Sequence, residues 1–164
     1  MKNLTPMIAL LVLMGVAPAW AAEKGDKPQL DGKTIEATTF RLDSLRGKVV
    51  LVLFWSTDCA VCRDKMPELR ANVQGWVNKP FELVSVSVDR KLQDALDYEK
   101  IVSRVVPPGQ RFSLIWSGDS GYRDTFGKHA QLPTAYLLDK SGTVIDKYTG
   151  RIPSEAWDKI ADLL

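Results

Sequence analysis

The arrangement of hydrophobic and polar positions predicts a strand followed directly by a helix near the middle of the chain. Val49–Trp55 is an unbroken apolar run rich in β-branched residues, and it ends at the polar residues 56–58. Such a run is typical of a central strand that is buried on both faces. From residue 59 to about residue 77, apolar side chains recur at the spacing of one helical face: Met66, Leu69, Val73 and Trp76. The pattern therefore predicts that a helix begins just after the buried strand.

The rest of the chain continues this alternation of strands and helices. We expect short strands or a hairpin over 34–48, and strands over 81–88, 111–116, 134–139 and 143–150. Helices are predicted over 92–106, 120–128 and 154–164. Strands that alternate with helices and end in a hairpin predict an α/β fold, with a central mixed β-sheet flanked by helices.

The N-terminal residues have the three parts of a secretory signal peptide. Lys2 provides a basic start, residues 7–17 an apolar core, and Ala19-Trp20-Ala21 a cleavage site. An uncleaved membrane anchor is the alternative, although the apolar run is shorter than the roughly 20 residues that a spanning helix needs. We expect a signal peptide over 1–21, a flexible polar lead-in over 22–33 and one domain over 34–164.

A cleaved signal peptide predicts a periplasmic protein, and an uncleaved one predicts a protein anchored in the membrane and facing the periplasm. Cysteine pairs oxidise and persist in such an export-side compartment. The 164 residues, 45% hydrophobic and 26% charged, can bury a core without disulfides. A net charge of +2 and the lack of a Lys/Arg block make nucleic acid an unexpected partner. We expect a monomer without a cofactor.

The only two cysteines, Cys59 and Cys62, lie together where the strand is predicted to turn into the helix. Amides and the dipole at a helix N-terminus stabilise an anion, so the Cys59 thiolate should be favoured there. Cys62 is one turn further along and can resolve a mixed disulfide formed by Cys59. This placement predicts a redox-active pair in which Cys59 attacks and Cys62 resolves.

Other roles for the two cysteines remain open from the residues alone. A structural disulfide that closes so short a loop would add little stability. A zinc site needs four ligands. Beyond the two cysteines, the sequence offers only the single His129 and carboxylates. A copper(I) module that uses both thiolates and His129 suits that soft ion and is the main alternative. A redox-inactive scaffold is a further possibility, against which the intact pair argues.

The stretch "VVLVLFWSTDCAVCRDKMPEL" resembles the active-site segment of the thioredoxin superfamily, and within it that of the TlpA/ResA-like exported thiol-disulfide oxidoreductases. "LPTAYLLDKSGTVIDKYTG" is similar to the segment that runs from their cis-proline through the closing hairpin. The resemblance covers most of the chain after residue 30. It implies a thioredoxin-like fold.

The resemblance also implies how clients bind. Pro133 would follow a cis peptide bond in a loop that faces the cysteines, and Leu132 would pair with a client peptide as a strand does. Trp55 is assigned to the same client-binding surface. The implied activity is that of a protein-disulfide reductase acting on specific client proteins, of the type used in cytochrome c or copper-site maturation. A membrane thiol-disulfide transporter would supply the electrons.

Two residues depart from the pattern of that family. Asp58 stands where a tryptophan usually precedes the first cysteine, and its carboxylate would raise the pKa of the Cys59 thiol. Lys65 stands where the relatives commonly have a buried glutamate, and its charge would favour the thiolate unless it is a solvated surface lysine. Both residues are predicted to modulate the pKa of the cysteine pair. His129, four residues before Pro133, is a further candidate that could approach the cysteines.

Overall fold

A five-stranded mixed sheet forms the centre of the protein in the computed structural model, which describes residues 21–164. Its strand order is β5-β4-β3-β7-β8. β4 is parallel to both β3 and β5, whereas β7 is antiparallel to β3 and β8. The bounds are β3 (Val49–Trp55), β4 (Phe81–Ser87), β5 (Ser113–Trp116), β7 (Thr134–Leu138) and β8 (Val144–Thr149). The predicted mixed sheet is confirmed.

Strand β3 is buried on both faces, as its unbroken apolar run predicts. Val49, Leu51, Leu53 and Trp55 enter one hydrophobic cluster, and the alternate residues Val50, Val52 and Phe54 enter a second cluster on the other face. The two clusters exist because successive side chains of a strand point to opposite faces of a sheet. The strand that leads to the cysteines is therefore buried along its whole length.

Three helices pack on the face of the first cluster: α1 (Ala60–Gly75), α2 (Leu92–Val105) and α3 (Glu155–Leu163). In α1, Met66 and Leu69 are buried and Val73 and Trp76 pack against the same cluster, so the predicted helical face is confirmed. The buried Ala156 and Ile160 place α3 in this cluster too. Helix packing thus covers the face toward which Cys62 points.

The other face is covered by the N-terminal part of the domain and by a smaller sheet. That sheet has the order β2-β1-β6, with β1 (Leu30–Lys33), β2 (Thr39–Arg41) and β6 (Arg123–Asp124) all antiparallel to their neighbours. Leu30, Phe40 and Leu42 from this region enter the second cluster. A single 3₁₀ turn, Leu42–Leu45, lies between β2 and β3.

Two predictions about the elements are wrong. The segment 22–33 is not a flexible lead-in throughout: Leu30–Lys33 forms β1, and the amide of Ala22 donates to the Phe126 carbonyl at 3.0 Å. Leu30 is 1% exposed, and the burial of its side chain offsets the conformational entropy that is lost when this segment is ordered.

The segment 120–128 is not a helix and contains only the short strand β6. The carboxylates of Asp119 and Asp124 accept the amides of Gly121 and Phe126 at 2.8 Å, and these local bonds favour turns over a helix.

The predicted signal peptide covers residues 1–21, of which residues 1–20 lie outside the part of the chain that the structure describes. Within residues 21–164, none of the helices combines the length and the apolar character needed to cross a bilayer.

Candidate functional site

Cys59 and Cys62 form a disulfide at the point where β3 gives way to α1, as the sequence predicts. Their Cα atoms are 5.2 Å apart. Cys59 is the N-cap of α1, and its Sγ accepts the amide of Cys62 at 3.1 Å. The helix N-terminus therefore points at the sulfur of Cys59. An anion at this position is stabilised by the helix amides and dipole.

The two cysteines differ in their access to solvent. Cys62 is 2% exposed and packs in the first hydrophobic cluster, whereas Cys59 is half-buried. A protein client can therefore reach Cys59 but not Cys62. Cys62 can still reach the sulfur of Cys59, since the two are already bonded.

The loop before β7 faces the same region. The Leu132–Pro133 peptide bond is cis, Pro133 is buried, and the half-buried Leu132 packs against the same cluster as Cys59. A cavity of about 340 Å³ is lined by Leu132 together with residues 56–58, which lead into Cys59. The loop of Leu132 and the loop that precedes the disulfide thus share one surface depression.

Trp55 does not belong to a client-binding surface. Its side chain is 1% exposed, and its ring lies 4.8 Å from that of Tyr98 in an edge-to-face arrangement. The alternation along β3 points residue 55 into the cluster beneath the helices, away from any client. The assignment of Trp55 to client binding is therefore wrong.

Asp58 and Lys65 take up different positions. Asp58 is exposed, and its carboxylate accepts a hydrogen bond from the Ser56 hydroxyl. The Lys65 side chain is only 13% exposed and pairs with Glu68 at 2.5 Å, so it is not a solvated surface lysine. The hydrogen bond from Lys65 is the main reason that the pKa of Glu68 is lowered, and Trp157 also donates to Glu68 at 2.9 Å. The influence of both residues on the Cys59 thiol stays a prediction.

His129 lies on the sheet face opposite Cys62. The centroid of its ring lies 3.9 Å from that of Phe54 and 5.9 Å from that of Tyr136, and both of these residues are members of the second cluster. Burial is the main cause that lowers the pKa of His129, and the nearby Lys147 lowers it further, while Asp124 opposes the shift. The structure therefore does not bring His129 together with the cysteines.

No group of three or more His, Cys, Asp or Glu side chains within residues 21–164 is arranged to hold a metal ion. For the copper module that shares these cysteines, the third ligand that the sequence offers is on the wrong face of the sheet. No observation in the described part of the chain favours that alternative.

Sequence reasoning missed a network behind the cysteines. Asp89, 8% exposed, follows β4, and its Oδ1 accepts both the amide and the hydroxyl of Thr57 at 2.8 Å. Its Oδ2 accepts the Ser87 hydroxyl at 2.7 Å. From the other side, Arg63 of α1 donates to the Thr57 carbonyl. A polar residue directly after a buried strand parallel to β3 was the available signal, because such strand ends meet at one edge of a sheet.

Comparison with known proteins agrees with this fold and site. The model of the AhpC/TSA family matches residues 24–158. A protein named thiol-disulfide oxidoreductase ResA from Geobacillus thermodenitrificans is 29% identical over 121 residues, which cover 74% of this chain and 66% of that protein. Its namesake from Bacillus thuringiensis is 28% identical over 126 residues, or 77% of this chain and 66% of the relative. The chain thus spans just under two thirds of the length of these relatives.

A solved structure extends the comparison to the fold. The thiol:disulfide interchange protein of the thioredoxin family from Chlorobium tepidum has a TM-score of 0.67 and 23% identity, and the alignment covers 87% of this chain and 97% of that one. The protein therefore has the thioredoxin-like fold that the resemblance implies. The fold and the paired cysteines agree with the family match. Because that match extends over residues 24–158, the chain belongs to the AhpC/TSA family.

Proposed function

We propose that the protein is a thiol-disulfide oxidoreductase that exchanges disulfides with client proteins through Cys59 and Cys62. The observation that carries this proposal is the disulfide at the N-terminus of α1, with Cys59 half-buried and Cys62 buried. A pair that only stabilised the fold would not need one accessible sulfur at an anion-stabilising helix end. Relatives that bear the name thiol-disulfide oxidoreductase support the same activity.

In the reducing direction, exchange proceeds in two steps. The Cys59 thiolate attacks one sulfur of a client disulfide, forms a mixed disulfide with it and releases the other client sulfur as a thiolate. The Cys62 thiolate then attacks the Sγ of Cys59 and releases the second client thiolate. Two electrons pass to the client, its thiolates take up protons according to their pKa values, and the protein is left with the Cys59–Cys62 disulfide.

Client binding is proposed at the loop of Leu132. Among residues 21–164, the backbone N–H and C=O of Leu132 have no hydrogen-bond partner, whereas the carbonyl of Pro133 accepts the amide of Gly150 at 2.7 Å. An extended client segment can therefore pair with Leu132 as an added strand. The cavity between Leu132 and residues 56–58 leaves room for client side chains beside Cys59.

We further propose that the direction is reductive, on specific clients, and that the protein acts as a monomer in the periplasm. The signal-like N-terminus supports export, and the resemblance to exported reductases supports both the direction and a membrane thiol-disulfide electron donor. Equilibration with glutathione tests the direction. We expect a reduction potential well below the roughly −120 mV of a strong periplasmic oxidant. A potential near that value, with efficient oxidation of a reduced unfolded protein, would make it a disulfide donor.

The division of roles is tested by trapping. The reduced Cys62→Ser protein, mixed with insulin as a disulfide-containing substrate, should accumulate a covalent adduct, because the thiol that resolves it is gone. The reduced Cys59→Ser protein should form none, since its remaining thiol is buried. Intact-mass measurement shows the adducts, with the double Cys59→Ser, Cys62→Ser variant as the control. Adducts formed by the Cys59→Ser protein alone would overturn the assignment.

A further inference from the structure

We propose that Asp89 is a positioning residue for disulfide exchange: its carboxylate holds Thr57, and through Thr57 the loop that sets the position of Cys59. This inference rests on the proposed exchange function and adds a residue to the machinery of that site. The loop of residues 56–58 is the only covalent connection between the buried strand β3 and Cys59, so its conformation determines where the N-cap sulfur lies.

The carboxylate of Asp89 engages the loop at two atoms. Its Oδ1 accepts the backbone amide of Thr57 and the Thr57 hydroxyl, each at 2.8 Å, and its Oδ2 accepts the Ser87 hydroxyl at 2.7 Å. The residue is itself held at the end of β4, because the Trp116 indole donates to the Asp89 carbonyl at 2.8 Å. The sheet therefore holds the backbone of Asp89, and the side chain of Asp89 in turn holds the loop.

Thr57 is also held through its carbonyl by helix α1. The guanidinium of Arg63 donates to the carbonyl of Thr57. Charged side chains from α1 and from the loop after β4 thus bind the C=O and the N–H of one residue. Thr57 lies two residues before Cys59. A rotation of its backbone would move the N-cap sulfur relative to the amide of Cys62, which it contacts at 3.1 Å.

The environment of Asp89 argues for a role beyond filling space. The side chain is 8% exposed, and no Lys, Arg or His of residues 21–164 lies within 4.0 Å of its carboxylate. A buried carboxylate without a cationic partner is costly unless several donors satisfy it. Here three donors do so, and two of them belong to the loop that precedes the nucleophile.

The test combines Asp89→Asn, Thr57→Val and the double variant. Thr57→Val removes one donor without changing the size of the side chain, so it remains informative if Asp89→Asn does not fold. The matched control is Asp139→Asn. One carboxylate oxygen of Asp139 likewise accepts three hydrogen bonds, from the amide and hydroxyl of Ser141 and from the amide of Thr143. Asp139 follows β7, however, and the end of β7 lies beside the start of β3, away from Cys59.

Two quantities are measured on reduced protein, at temperatures where thermal unfolding shows each variant to be folded: the exchange rate with insulin and the pH profile of Cys59 alkylation. We expect Asp89→Asn to slow exchange about tenfold or more, since small displacements of reacting groups have effects of this size. Thr57→Val should slow it less. The double variant should be no slower than Asp89→Asn, because both changes act on one contact. Asp139→Asn should lower the melting temperature without slowing exchange.

The proposal is overturned if the exchange rate of Asp89→Asn, and its alkylation rate at each pH, stay within twofold of those of the unaltered protein. It is also overturned if Asp139→Asn slows exchange as much as Asp89→Asn does. When Asp89→Asn does not fold, an unchanged rate in Thr57→Val overturns it as well. Failure of the proposed function has a different signature, in which the unaltered protein itself does not reduce insulin. The alkylation profile needs no client, so it decides the role of Asp89 in that case too.

Discussion

The contact between the amide of Cys62 and the Sγ of Cys59 should set the reactivity of Cys59. Replacing Cys62 by Ala keeps this amide, and replacing it by Pro removes it, while both variants leave Cys59 as the only thiol. Proline is acceptable in a first helical turn, because the amides there have no partner within the helix. The first helical bond of α1 runs from the amide of Arg63 to the carbonyl of Cys59. Among the atoms of residues 21–164, the Sγ of Cys59 is therefore the one acceptor of the Cys62 amide.

The size of the effect follows from that hydrogen bond. A hydrogen bond to a charged group contributes about 1.5 to 3 kcal/mol, and sulfur is a weak acceptor, so we take the lower end. Since 1.36 kcal/mol corresponds to about one pKa unit, Cys62→Pro should move the midpoint of Cys59 alkylation about one pH unit above that of Cys62→Ala. The helix dipole acts on Cys59 in both variants and does not enter the difference.

The assay measures the rate of Cys59 alkylation by iodoacetamide between pH 4 and pH 10. Circular dichroism and urea unfolding show whether both variants keep the fold, because Val61 would precede the new proline within the helix and that position is disfavoured. Equal midpoints in two folded proteins would refute the reasoning. They would mean that the amide contact seen in the disulfide form does not stabilise the thiolate of the reduced form.

Three further changes test other parts of the site and the core. Asp58→Asn should lower the midpoint of Cys59 alkylation, since it removes a neighbouring negative charge; an unchanged profile would show that the carboxylate does not act on Cys59. His129→Phe should lessen the loss of unfolding free energy as the pH falls below about 6.5. Burial lowers the pKa of the folded His129, so the unfolded chain binds a proton first, with a slope of at most about 1.36 kcal/mol per pH unit. Parallel slopes in urea unfolding would contradict this. Leu69→Ala, at a side chain 1% exposed, should cost about 2 to 5 kcal/mol in the same assay, and a cost below 1 kcal/mol would contradict the packing of α1.

The local order of elements around the cysteines was predictable from the sequence. A strand buried on both faces is typically a near-continuous apolar run, and Val49–Trp55 is apolar at every position. The helical spacing of Met66, Leu69, Val73 and Trp76 likewise reports one buried face of α1. These signals depend on neighbours along the chain, so they identify both elements and the cysteine pair between them.

Contacts between distant segments were decided only by the tertiary structure. Leu30–Lys33 becomes a strand because residues 39–41 and 123–124 supply its hydrogen-bonding partners, which no local pattern shows. The direction of alternation along β3 buries Trp55 under the helices and places Phe54 in contact with His129 on the other face. Sequence spacing alone does not say which face a residue takes, because that depends on which layer covers each side of the sheet.

The candidate site divides in the same way. The chemistry of Cys59 and Cys62 follows from their spacing and from the helix that begins between them, so the sequence by itself determined the reactive pair. The hold of Asp89 on Thr57, 32 residues apart in the chain, exists only because β3 and β4 lie side by side and parallel, so that their carboxyl ends meet. What each cysteine can reach was also a tertiary outcome, because the packing of α1 on the sheet buries Cys62 and leaves Cys59 accessible.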